Sequence, residues 1–96
     1  MVYEWDAEKA KRNLQKHHIS FEDAATVFLD PLAMTFPDPD HSSGEDREIT
    51  LGRSLSQQVV FVSHCPGEDR TRIISARKAT RSERNQYEES IDKRIE

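Results

Sequence analysis

Apolar positions along this chain change their spacing several times, and each change marks an element. VYEW at residues 2–5 is aromatic and β-branched and predicts a short strand. Asp6 then caps a helix, DAEKAKRNLQKH, in which Ala7, Ala10 and Leu14 make a narrow apolar stripe. So thin a stripe places the helix at the edge of the core. His18 stands where helices ordinarily end in Gly or Asn with positive φ. Ser20 opens a second helix, SFEDAATVFLD, with Asp23 completing an approximate capping box. Phe21, Ala24, Ala25, Val27 and Phe28 cover its inner face and Pro31 stops it. The short link between the two helices predicts an αα-hairpin.

Beyond Pro31 the period falls to two. LAMTF, residues 32–36, reads as a strand, followed by the polar loop PDPDHSSGED. In REITLGRS, residues Ile49, Leu51 and Arg53 share one face, and QVVFVSH, residues 58–64, is apolar on both faces, as a central strand is. CPGED is a turn. Residues 70–78 form the last strand, with Ile74 and Ala76 opposite Ile73, Ser75 and Arg77. Thr80 and Glu83 form a T-x-x-E capping box, so a final helix starts near Arg81 and runs through Tyr87. This order predicts an α+β fold with a mainly antiparallel sheet of about four strands, an N-terminal αα-hairpin and a C-terminal helix. Residues 1–96 read as a single domain.

Composition narrows the picture. At 96 residues, with 34% hydrophobic residues and a mean hydropathy of −0.85, the chain can build only a small core, which a partner would extend. The N-terminus lacks a basic and apolar leader, and no apolar run reaches the roughly 20 residues that span a bilayer, so a cytoplasmic location is expected. Cys65 is the only cysteine, which excludes an intrachain disulfide and a multi-cysteine zinc site.

Charge changes it more. The formal net charge is −4, yet from Arg47 to Arg84 eight Lys or Arg face four Asp or Glu, a balance of +4. Five of these cations, Arg72, Arg77, Lys78, Arg81 and Arg84, fall in RIISARKATRSER, where a strand gives way to a helix. A local basic patch attracts phosphate whatever the overall sign. Other chemistries are poorly served. Asp38, Asp40 and Ser42 imitate the start of a calcium loop, but Ser43 and Ile49 occupy its Gly and Glu positions. His17, His18, His41 and His64 lack metal-ligand spacing, and three glycines form no phosphate loop, so neither metal nor cofactor is expected.

The basic set remains. Guanidinium forks bind phosphate oxygens bidentately and stay charged, and a helix start adds backbone N–H donors. Cleaving RNA needs a base for the 2′-hydroxyl, cations for the phosphorane and an acid for the leaving oxygen. His17 is the candidate for proton transfer because imidazole titrates near neutrality; a C-terminal helix cation is its plainer role. Arg53, Arg77 and Arg81 are the other catalytic candidates, and Arg47, Arg72 and Arg84 the RNA-binding ones. A noncatalytic binding module or co-repressor subunit, using the same rim on nucleic acid or an acidic partner, is the competing reading.

YEWDAEKAKRNLQKHHISFEDA, DPLAMTFPDPDHSSGEDREITLGRS and RIISARKATRSERNQYEE together resemble the BrnT family of bacterial toxins, to about Glu89. The W-D, K-H, R-x-I-x-x-G-R and I-S-A-R-x-A-T-x-x-E-R elements carry the resemblance. It implies a RelE-like fold and a metal-independent ribonuclease that acts without the ribosome and arrests translation. It also implies a BrnA-like ribbon-helix-helix antitoxin and operator DNA bound only through the toxin–antitoxin complex. The motif positions are Lys16, which the resemblance adds to the RNA-binding candidates, His17, Arg47, Arg53, Arg77 and Arg84, with Arg81 beside them; His18 departs from the glycine expected after the K-H pair.

Overall fold

The computed structural model describes residues 2–39 and 46–95, so Asp40, His41, Ser42 and Ser43 lie outside the described residues. Strand β1 (Val2–Glu4) leads into α1 (Ala7–His17), α2 (Phe21–Ala25) and a 3-10 turn (Thr26–Leu29). Strands β2 (Met34–Pro37), β3 (Glu48–Arg53), β4 (Val59–Pro66) and β5 (Arg70–Lys78) follow, and α3 (Arg81–Ile95) completes the order. The sheet runs β1-β5-β4-β3-β2 and is mixed: β1 pairs parallel to β5, the other neighbours antiparallel. Among the described residues the sheet has five strands, against the expected four or so. VYEW looks solitary in sequence, and its pairing with residues 70–72 is a contact that no local pattern encodes.

The two faces of the sheet bury different clusters. On one, Ile19, Phe21, Ala24 and Val27 pack on Val60, Val62, Ile73 and Ala76. On the other, Tyr87 packs with Leu51 and Val59, flanked by Phe61 and Ile91. The alternation that sets Ile73 opposite Ala76 fails at one point. A register shift at Ser63 and His64 leaves Ile74 as an extra residue on β5, which turns Ile73 and Ala76 to the same side.

Helices α1 and α2 rest mainly on the sheet and not on each other, so the αα-hairpin is not the organising unit. The stripe expected on α1 also gives way: Leu14 is 48% exposed, and the residue α1 buries is Asn13. The cause lies in β5, whose outer edge, among the described residues, has no strand partner beyond Arg72. The Asn13 amide donates to the Ala76 carbonyl (2.8 Å) and accepts from the Ala76 N–H (3.1 Å), supplying both bonds of a missing strand. His18 adopts the left-handed cap, φ 61°, and donates its N–H to the Leu14 carbonyl. Ser20 caps α2 through the Asp23 N–H, but the Asp23 carboxylate leaves the capping box and accepts instead from the Ser56 hydroxyl, 2.7 Å away in the β3–β4 turn.

Candidate nucleic-acid interface

Three arginines share the sheet face that α3 partly covers. Arg53 ends β3 beside Val59; Arg77 stands opposite Phe61, and Arg72 opposite Cys65. Arg47 enters β3 half-buried, its carbonyl accepting from the Asp38 N–H (3.0 Å). Arg81 and Arg84 are exposed, one turn apart at the start of α3.

A cleft of about 380 Å³ opens where β5 passes into α3. Arg53, Lys78 and Arg84 line it, with Gln57, Gln58 and Glu88. Arg53 is held there by its own bonds: its guanidinium donates to the Gln57 carbonyl (3.1 Å) and lies 5.9 Å from the centre of the Tyr87 ring. Its backbone N–H donates to Asp30 (2.9 Å). Three cations with one carboxylate among these lining residues make a site for an anionic ligand. Of the cations named from sequence, Arg53 and Arg84 meet here. Lys78, Gln57, Gln58 and Glu88 were not anticipated, although Lys78 lies inside the basic run and could have been read from it.

Arg77 is engaged differently from what its place at a strand end implies. Its guanidinium makes a fork on Glu83, at 2.8 and 3.0 Å, and stands 3.9 Å over the Phe61 ring. Glu83 also accepts from the Thr80 N–H (2.9 Å) while the Thr80 hydroxyl accepts from the Glu83 N–H (3.2 Å), so the capping box forms as predicted. The Arg77 hydrogen bonds hold the Glu83 carboxyl below its usual range. Arg77 therefore pins α3 to the sheet and is part of the framework of the fold.

His17 and Lys16 are elsewhere. They line a separate groove of about 230 Å³ between α1 and Ile74 of β5, together with Lys9, Arg12 and Asn13. The K-H pair and the Arg53–Arg84 cleft are thus two clusters, not one.

Two polar networks were missed from sequence, and one of them holds Arg53 in place. Asp30 reads as a helix end before Pro31, yet its carboxylate accepts from the N–H groups of Leu32 and Arg53 and from the Tyr87 hydroxyl, joining both sides of the sheet. Burial raises the Asp30 pKa, but these hydrogen bonds outweigh it and the net shift is downward. Tyr87 moves the other way, pushed up to about 12 by burial and by Asp30. Gly52 permits this approach, since a Cβ there would stand 2.8 Å from the Ala33 Cβ and 2.9 Å from Val27. On the face that carries Val60 and Val62, the buried His64 ring packs edge-on against Phe28, and its Nε2 shares a hydrogen bond with the Thr50 hydroxyl (2.8 Å). Burial pushes the His64 pKa down to about 4. Among the described residues, no group of three His, Cys, Asp or Glu is placed to hold a metal ion, and no helix is long and apolar enough to cross a membrane.

This is a small α+β chain with one cationic cleft where β5 passes into α3 and a second beside α1, and comparison with known proteins gives its family. The family described as "Ribonuclease toxin, BrnT, of type II toxin-antitoxin system" matches residues 5–83. The chain belongs to this family of ribonuclease toxins, and a type II system implies a protein antitoxin. It is similar to the crystal structure of the Brucella abortus ribonuclease toxin BrnT, with 25% identity and a TM-score of 0.65, over 84% of this chain and 100% of that one. No curated protein matches the chain.

Proposed function

We propose that this chain is a metal-independent endoribonuclease that cleaves RNA through the 2′-hydroxyl and so arrests translation. In this reading residues 1–96 act as one RelE-like domain in the cytoplasm, without a cofactor. A BrnA-like ribbon-helix-helix antitoxin neutralises it, and together they repress their own promoter, the operator DNA being bound through the complex. The observation that supports this most is the meeting of Arg53, Lys78 and Arg84 in one cleft at the start of α3. Fixed cations are what a pentacovalent phosphorane requires, since its added charge develops only in the transition state. Arg81 extends the charge along α3, Arg47 and Arg72 serve flanking RNA, and Lys16 and His17 meet the strand from the separate groove beside α1.

Arg53→Ala and Arg84→Ala test the assignment. Each is expected to lower kcat/KM about 10²-fold or more, the usual cost of losing one transition-state donor, with the fold retained. Unchanged cleavage by both folded variants would refute it. One observation favours the competing binding module: Arg77, a motif arginine, has its fork occupied by Glu83. Turnover of RNA by the wild-type chain separates the two readings.

A further inference from the structure

The groove beside α1 differs from the cleft at α3 in both composition and floor. Lys9, Arg12, Lys16 and His17 line it, and no carboxylate does. Lys9, Arg12 and Lys16 recur at i, i+3 and i+7, which sets them along one side of α1. In a chain of net charge −4 such a one-signed row is not the mixed surface that solvation alone produces. The floor is apolar: Ile74, the extra residue at the β5 register shift, lies half-buried between the cations. Asn13, the remaining lining residue, is committed to the Ala76 backbone and fixes the distance between helix and strand.

We infer that this groove is a second binding site for the RNA strand, holding phosphates that flank the scissile one. The inference rests on the ribonuclease reading above and extends it to Lys9, Arg12 and Ile74. From Lys9 to Lys16 the helix rises about 10 Å. At the stacked spacing of about 3.4 Å per nucleotide the row would span about three nucleotides, and fewer of an extended single strand. The cations hold backbone phosphates without reading sequence, and Ile74 offers an apolar surface to the sugars. Short substrates that cannot reach the groove gain nothing from it; longer ones bind more tightly and with steeper salt dependence.

The test is Lys9→Gln with Arg12→Gln in the full chain. Both side chains are exposed, so the fold should be retained, and circular dichroism of the double variant checks it. Binding to an unstructured single-stranded RNA of 12 or so nucleotides is measured against salt, beside cleavage of the same RNA and of a trinucleotide. Each phosphate contact on a single strand contributes about −0.7 to the slope of log K against log salt, so losing two should flatten it by about 1.4. KM for the long RNA should rise while kcat and trinucleotide cleavage stay the same. An unchanged slope and KM, with the wild-type chain still cleaving, would overturn the groove and leave the ribonuclease reading standing. A loss confined to antitoxin binding would overturn it too, giving the groove to an acidic protein segment. Failure of the wild-type chain to cleave either RNA would remove the ribonuclease reading itself, and the groove with it.

Discussion

Arg77→Ala should unfold the junction between β5 and α3 before it says anything about catalysis. The Arg77 and Glu83 side chains are 35% and 22% exposed, so their fork lies between a surface ion pair and a buried one. Charge-assisted hydrogen bonds contribute about 1.5–3 kcal/mol and exposed pairs about 0.2–1, which puts this pair at about 1–2 kcal/mol. The guanidinium on Phe61 adds about 0.5–1 kcal/mol. The expected loss is about 1.5–3 kcal/mol, or roughly 6–24 °C in Tm for a domain of this size. Denaturant unfolding of the wild type, Arg77→Ala, Glu83→Ala and the double variant measures the pair directly, with an expected coupling of about 1–2 kcal/mol. The pH sign is fixed: Glu83 has a lowered folded-state pKa, so its contribution is present above the usual carboxylate range and disappears as pH falls through the folded value. A coupling below about 0.3 kcal/mol, within the scatter of independent sites, would refute the reasoning. Loss of RNA cleavage in Arg77→Ala identifies a phosphate contact only if that variant remains folded.

Other perturbations follow from the same geometry. Tyr87→Phe keeps the buried ring but removes one of the three donors to the Asp30 carboxylate, and thermal melts should show a loss of about 1.5–3 kcal/mol. Because the Tyr87 pKa rises from 10.0 to about 12, its contribution is complete below pH 10 and lost as pH climbs towards 12; the Phe variant should lack that alkaline fall. His18→Gly relieves a left-handed φ of 61° at the end of α1 and should raise stability by about 0.5–1 kcal/mol; a lower Tm would show that the imidazole makes a compensating contact. His64 is neutral in the fold with its pKa near 4, so stability should decline as pH falls from about 6.5 towards 4. His64→Gln should flatten that window, as read by urea midpoints at each pH.

Local chemistry was legible in the sequence wherever a short pattern decides it. The caps at Asp6, Ser20 and Thr80 form as their residues predict, and β3, β4 and β5 lie where alternation puts them. What the sequence hid is non-local. Nothing around VYEW announces a parallel partner near Arg70, and nothing around Asn13 announces that it completes the edge of β5. Asp30 looks like a stop signal beside Pro31 and is the acceptor that binds Arg53 and Tyr87 together. The site divides the same way. Arg53 and Arg84 were visible as cations near a strand–helix junction, and they share a cleft. His17 was read as part of that set because sequence records charge and motif but not which side of a helix meets which strand edge.

The central claim is catalysis, and the most direct measurement is incubation of the purified chain, in EDTA, with a defined end-labelled RNA, followed by mapping of the fragment ends. The account predicts cleavage that leaves 2′,3′-cyclic phosphate termini, produced by the 2′-hydroxyl without a metal ion. No cleavage by a folded chain that still binds its antitoxin would contradict it and leave a binding module in its place.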